Sequence, residues 1–190
     1  MINVYDFDKT IYDGDSTIDF YLYCLNRNKT LIFMLPTQLY GMLLYILKVK
    51  EKEYFKEKFF SFIKKINVEE YVVDFWKKNN KKIKKWYLEN KQTTDVIISA
   101  SPEFLLKGLE KELKIDRIIA SVVDPKTGKF TSKNCYGKEK VKRFKTEYKN
   151  TKIKDFYSDS LSDLPMMELA KNGYIVKGNT IVNYKEYQDK

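Results

Sequence analysis

Ile2-Asn3-Val4-Tyr5-Asp6-Phe7-Asp8-Lys9-Thr10 is the stretch on which the fold turns. Its first four residues are apolar-rich and stop at an aspartate, which reads as a short buried strand running into a polar loop at Asp6. Beyond it, Asp15-Ser16-Thr17 makes a helix N-cap cluster. Helical texture then continues to about Asn90, with Pro36 and Gly41 predicting at least two breaks. From Asp95 the texture changes. Val96-Ile97-Ile98 is a second buried strand, residues 102–113 read as a helix opening on Ser101 and Pro102, and 117–120 as a third strand. Asp124-Pro125 and Thr127-Gly128 supply turn chemistry for a hairpin within 122–134, and 138–148 reads as a helix with a basic outer face. A fourth strand at 153–157, a helix at 163–170 with Pro165 in its first turn, a short strand at 174–176 and a polar tail follow.

Strand and helix alternate after residue 91, which predicts an α/β fold. The sheet should be Rossmann-like and mostly parallel, with helices on both faces, and an all-helical cap should be inserted after the first strand. The expected division is a core of residues 1–17 and 91–190 and a cap of 18–90. A chain of 190 residues, 43% hydrophobic and 15% aromatic, buries one substantial core and at most a small accessory domain. The charged fraction of 33% suits a soluble protein. No basic n-region or cleavage site precedes Ile2, so the expected location is the cytoplasm.

Composition removes whole classes of chemistry. The histidine count is 0, which excludes Ser-His-Asp hydrolysis, Cys-His chemistry and HExxH zinc sites and leaves carboxylates, hydroxyls, lysines and hard metal ions. Cys24 and Cys135 show no CxxC or repeated spacing, so neither a disulfide framework nor a thiolate metal site is indicated. The net charge of +10 attracts polyanions, but Arg27, Arg117 and Arg143 are the only arginines, and Lys, Asn, Ile and Tyr are abundant together. That pattern is a whole-chain bias. No zinc-finger, helix-turn-helix or RNP-type signature accompanies it, so nucleic acid is not an expected partner.

In open α/β sheets the ligand site lies outside the carboxyl ends of the strands, so the residues after each strand are the ones that matter: Asp6, Ser99 and Asp159. In Asp6-Phe7-Asp8-Lys9-Thr10 two carboxylates lie two positions apart and point to the same side while the chain is extended. Asp6 can attack a phosphoryl group, and Asp8 can protonate the leaving alkoxide and then deprotonate the water that resolves the intermediate. Ser99-Ala100-Ser101 sets a hydroxyl and following backbone N–H groups at a helix start, an anion site; Phe7, Thr10, Ser99 and Ala100 form the expected phosphate-binding set, with Ser101 as an ordinary N-cap. Gly137-Lys138-Glu139-Lys140 adds an ammonium at the head of a helix, and Lys140 is the residue expected to offset charge in phosphoryl transfer. Asp159-Ser160-Leu161-Ser162-Asp163 brings two more carboxylates to the same edge. Converging carboxylates call for a cation. Mg²⁺ takes oxygen ligands, which Asp6, the Asp8 carbonyl and Asp159 supply, with Asp163 and Ser162 behind them orienting waters or Lys140.

The four clusters, in this order, resemble the haloacid dehalogenase superfamily of phosphatases across essentially the whole chain. The helical insert and Asn134-Cys135-Tyr136-Gly137 are similar to its phosphoserine-phosphatase-like subgroup, subfamily IB. The resemblance implies a Rossmann-like core, a helical cap over the site, Mg²⁺ as cofactor and the roles assigned above. Three positions depart from the subgroup. Asp15 stands where a Glu meets the substrate ammonium, Ala100-Ser101 where Gly-Gly is usual, and Ser162 where an Asn commonly precedes the last acidic residue. The expected substrate is therefore a small phosphomonoester or a phospholipid phosphate other than phosphoserine.

The cap carries a substrate signal of its own. Residues 31–47, LIFMLPTQLYGMLLYIL, are strongly apolar but interrupted by Pro36, Thr37, Gln38 and Gly41, which makes a poor spanning helix. Similar apolar caps occur in relatives that act on phosphatidylglycerophosphate, and the lysines at 29, 48, 50 and 52 can meet an anionic membrane surface peripherally. Packing of the cap onto the core explains the same apolar run. A non-catalytic phosphate- or membrane-binding module on this fold, and phosphoryl transfer to an alcohol, are the alternatives to hydrolysis.

Overall fold

The computed structural model describes residues 1–188. Six strands form one sheet in the order β3-β2-β1-β4-β5-β6: β1 (Ile2–Tyr5), β2 (Val96–Pro102), β3 (Arg117–Ser121), β4 (Ile153–Ser158), β5 (Asn172–Lys177) and β6 (Thr180–Asn183). All neighbours are parallel except β5 and β6. β1 is central, with Val4 opposite Val96 on one side and Phe156 on the other.

A parallel sheet is covered on both faces, so its strands are apolar on both. Val96 and Ile98 of β2 belong to one core cluster with Phe144, Met166 and Met167, whereas Ile97 between them packs in the other with Phe20, Leu105 and Leu106. The larger cluster is built from the segment between β1 and β2, which holds α1 (Ser16–Arg27), α2 (Leu35–Ile46), α3 (Lys52–Phe59), α4 (Val68–Asn79) and α5 (Lys85–Asn90), together with α6 (Glu103–Leu106) and α7 (Leu109–Leu113). The opposite face is covered by α8 (Lys138–Glu147), α9 (Leu164–Leu169) and α10 (Tyr184–Gln188).

Three local expectations need correction. Gly41 does not break α2: a Cβ there would fall 2.6 Å from Lys58 Cβ, so the missing side chain lets α2 lie close against α3. The chain breaks instead at Asn28, whose side chain accepts from Thr30 N–H, and at Lys48, which ends α2 with φ 56 while Val49 N–H reaches back to Leu44 O at 2.9 Å. The helix expected over 102–113 is two short ones parted near Gly108, because β2 runs on to Pro102 and the first helix starts only at Glu103. The polar tail forms β6 and α10.

Candidate active site

Asp6 leaves the end of β1 with its N–H donating to Tyr157 O of β4 at 2.8 Å, which fixes its place at the carboxyl edge of the sheet. Its carboxylate is held at both oxygens. Lys140 Nζ donates to Oδ1 at 2.6 Å and the Thr10 hydroxyl to Oδ2 at 3.2 Å. Thr10 in turn accepts from Asp159 N–H at 2.9 Å, so one hydroxyl ties the loop after β1 to the loop after β4. Lys140, only 2% exposed, stands in the first turn of α8 and reaches Asp163 Oδ2 at 2.6 Å as well; Ser158 donates to that same oxygen at 2.8 Å. Gly137, with φ 55, makes the turn that starts this helix.

Asp8 points elsewhere. Its Oδ1 accepts from Ser16 N–H at 2.6 Å and its Oδ2 from the Ser101 hydroxyl. Ser101 also lies 3.0 Å from the Thr17 hydroxyl, so the first turn of α1 and the end of β2 together cradle the Asp8 carboxylate. Ser101 is therefore not a helix cap as expected. Its N–H donates to Ser99 Oγ at 3.0 Å within extended chain, and no helix starts at Ser99 to lend it the anticipated N-terminal anion site. Ser99 still lines the cavity at the sheet edge, which encloses about 440 Å³ and is faced by Asp6, Asp8, Asp15, Lys140, Asp159, Ser162 and Asp163 among others. Asp15 caps α1 through Ile18 N–H at 3.0 Å, and Phe7 is fully buried against Tyr12 and Trp76, leaving only its backbone for a ligand.

The electrostatics follow from burial. Desolvation lifts the Asp6 pKa above the usual carboxylate range; Lys140 opposes this, and Asp163 adds to it. Desolvation likewise raises Asp8, to about 6, with Asp15 acting in the same sense. Burial alone would lower Lys140, but Asp6 and Asp163 outweigh it and keep the ammonium charged above the ordinary lysine value. Asp159 is raised by burial against the charges of Lys177 and Lys9.

Mg²⁺ fits this donor set. Two buried carboxylates held above their ordinary pKa on one cavity are under-neutralised, and Asp163 Oδ1 is buried with no hydrogen-bond partner. Among the described residues no three Cys, Asp or Glu side chains converge as a metal cluster. The Asp6 and Asp159 carboxylates, with the Asp8 carbonyl and waters, would give the balance of oxygen ligands that ion prefers.

Sequence reading expected a helical cap over the site but named none of the α3 residues that line the cavity. From α3 come Lys52, Phe55, Lys56 and Phe59. Lys56 Nζ donates to Ala100 O and to Asn134 Oδ1, both at 3.0 Å, and burial brings its pKa down to about 8. No motif marks Lys56 among so many lysines; its signal is the α3 pattern Lys52, Phe55, Lys56, Phe59, one face of a helix.

The model of the haloacid dehalogenase-like hydrolase family matches residues 4–168, from β1 into α9. The chain belongs to this family. Asp6, Lys140, Asp159 and Asp163 all line the cavity at this chain's sheet edge. Similar solved structures share the fold of this haloacid dehalogenase-like hydrolase at low identity. A protein of unknown function from Bordetella pertussis Tohama I has a TM-score of 0.72 at 15% identity, over 90% of this chain and 87% of that one. A phosphoserine phosphohydrolase-like protein from Francisella tularensis gives 0.57 at 16%, over 91% and 86%. A phospho-aspartyl intermediate analogue of phosphoserine phosphatase gives 0.52 at 18%, over 90% and 84%. No curated protein sequence matches. The α/β fold expected from the sequence agrees with these neighbours, and the family model agrees with the haloacid dehalogenase resemblance of the four clusters.

Proposed function

We propose that this haloacid dehalogenase-like hydrolase is a Mg²⁺-dependent phosphomonoester hydrolase that works through an aspartyl-phosphate on Asp6. One observation carries the reading. The Asp6 carboxylate is buried, gripped by Lys140 on one oxygen and by Thr10 on the other, and opens on a cavity that Asp8, Ser99 and Asp159 also face. An Asp6 oxygen bonds to phosphorus as the bond from phosphorus to the alcohol oxygen breaks, and Asp8 gives that departing oxygen its proton. Asp8 then takes a proton from water. The water oxygen attacks phosphorus, the bond to Asp6 breaks, and inorganic phosphate leaves.

Lys140 keeps its charge throughout, orienting Asp6 and offsetting charge on the transferring group. Ser99 and the backbone at Phe7 and Ala100 hold the other phosphate oxygens. Asp6, the Asp8 carbonyl and Asp159 would hold Mg²⁺, which would supply positive charge against the phosphate. Asp163 fixes Lys140 at 2.6 Å, and Ser162 borders it. The leaving alcohol meets Phe55, Phe59, Lys52 and Lys56, a wall that suits an amphiphilic phosphomonoester better than phosphoserine. We assign residues 18–90 to the cap and the rest to the catalytic core.

The test is phosphate release, with and without Mg²⁺, over phosphoserine, sugar phosphates, phosphocholine and phospholipid phosphates. Turnover by the Asp6→Asn variant equal to that of the parent chain overturns the nucleophile assignment.

A further inference from the structure

Helix α2 is inside out. Its inner side, which meets α3, carries Gln38 and Gly41, the former bonded to Tyr21 Oη at 2.6 Å and to Phe59 O at 3.0 Å. Its outer side carries Leu39, Tyr40, Met42, Leu43, Ile46 and Leu47, each between 45% and 60% exposed. Positions 39, 43 and 46 recur at helical spacing, so the apolar stripe that normally faces a core faces out. Phe33 before the helix, 80% exposed, and Val49 after it, 62% exposed, are also bare. Soluble monomers seldom show a contiguous apolar patch larger than a few hundred Å².

Charge says what covers it. From Lys29 to Lys50 the chain has lysines at 29, 48 and 50 and no Asp or Glu, and all three lysines are exposed. Lys48 holds its place at φ 56, where glycine is the common residue. A second copy of this chain laid on the same face would set these rims against each other, each on a protein of net charge +10, with the exposed Glu51 after Lys50 as the nearest acid in sequence to answer three lysines. A helix of 12 residues is about 18 Å long, short of the roughly 30 Å of a bilayer's hydrocarbon, and no described helix is long and apolar enough to cross a membrane. An apolar face with basic ends fits the interface of an anionic bilayer, side chains among the acyl groups and ammonium groups at the phosphates.

We infer that the outer face of α2 docks this protein on an anionic lipid bilayer. The docking does not depend on the chemistry at Asp6. It does set the cavity beside the lipid, because Phe55 and Phe59 of α3 wall the cavity and also meet α2, Tyr45 stacking on Phe55 with ring centroids 5.8 Å apart and Gln38 donating to Phe59 O.

Vesicle flotation of the whole chain tests it, with phosphatidylcholine mixed with phosphatidylglycerol against phosphatidylcholine alone. The expected result is flotation with the anionic vesicles, weakened by salt, and at least about a tenfold lower partition for Leu43→Glu/Ile46→Glu. Circular dichroism checks that variant's fold. Should it fail to fold, Lys48→Glu/Lys50→Glu, which alters only exposed side chains, is expected to lose the preference for anionic vesicles. Absence of binding by the parent chain overturns the proposal, as does unchanged partition in a folded variant. So does a parent dimer that Leu43→Glu/Ile46→Glu turns into monomer, which would give the face to a second copy.

Discussion

The sheet edge at Asp6 and the outer face of α2 break the same rule in opposite directions. At the sheet edge, charged side chains that normally sit in water are buried, Lys140 and Asp163 almost wholly. On α2, leucines and an isoleucine that normally sit in a core face out. The buried charges are mutually partnered: Lys140 joins Asp6 to Asp163, Ser158 supports Asp163, and Thr10 links Asp6 to Asp159. The exposed apolar groups of α2 are left about half uncovered by the described residues. The first departure is complete in itself and marks chemistry; the second is incomplete and marks contact with something outside.

The largest effect should come from the centre of the buried network. Asp6→Asn removes the nucleophile yet keeps the shape, and phosphate release should fall by on the order of a hundred-thousandfold, measured under Mg²⁺ with excess enzyme. Asp8→Asn spares attack but not proton transfer, so a loss of about a hundred- to ten-thousandfold is expected in the same assay. Lys140→Met leaves Asp6 and Asp163 buried without their cation, and denaturant melts should show a loss of about 3–5 kcal/mol. A melt within experimental scatter of the parent would mean that the two carboxylates are neutral in the native chain.

Smaller effects sharpen the boundary between the two regions. Burial holds Lys56 near 8 against 10.5 for an ordinary lysine, so between those pH values the unfolded chain binds a proton that the native chain lacks. Stability contributed by Lys56 therefore rises from pH 8 to about 10.5 and is flat below 8. Subtracting the melts of Lys56→Met across that range should isolate the slope, and parallel curves would show that the amine is solvated. Last, Leu43→Glu on α2 should shift stability by no more than about 0.5 kcal/mol, because its side chain is already half in water. A loss as large as that of a core leucine would abolish the contrast drawn here.

Much of the sheet edge was legible because strand ends and local order dictate it. β1, β3 and β4 fall within a residue of their sequence limits, and Asp6, Lys140 and Asp163 meet as their placement at the carboxyl edge requires. The misses have physical reasons. Hydropathy reports how apolar a segment is but not which way it faces, so residues 31–47 read alike as buried or exposed, and in fact Leu31 is buried while Phe33 is not. Gly41 looks like a breaker until a neighbouring helix fills the space it vacates. Ser101 and Lys56 take partners 93 and 44 to 78 positions away, a separation at which no local pattern can speak.

The insertion of five helices between β1 and β2 also sets a timetable. The central strand's neighbours lie far along the chain: Val4 pairs with Val96 and, across the other edge, Tyr5 with Tyr157. During synthesis Asp6 emerges long before Lys140 and Asp163, so β1 must wait unpaired on both sides while the helical segment is made and can fold by local contacts. The helices are early and the site is late. A nascent chain stopped between the end of α2 and Ile153 can display its apolar α2 face but cannot own a complete sheet edge, so any affinity of that face for a surface precedes the chemistry it accompanies.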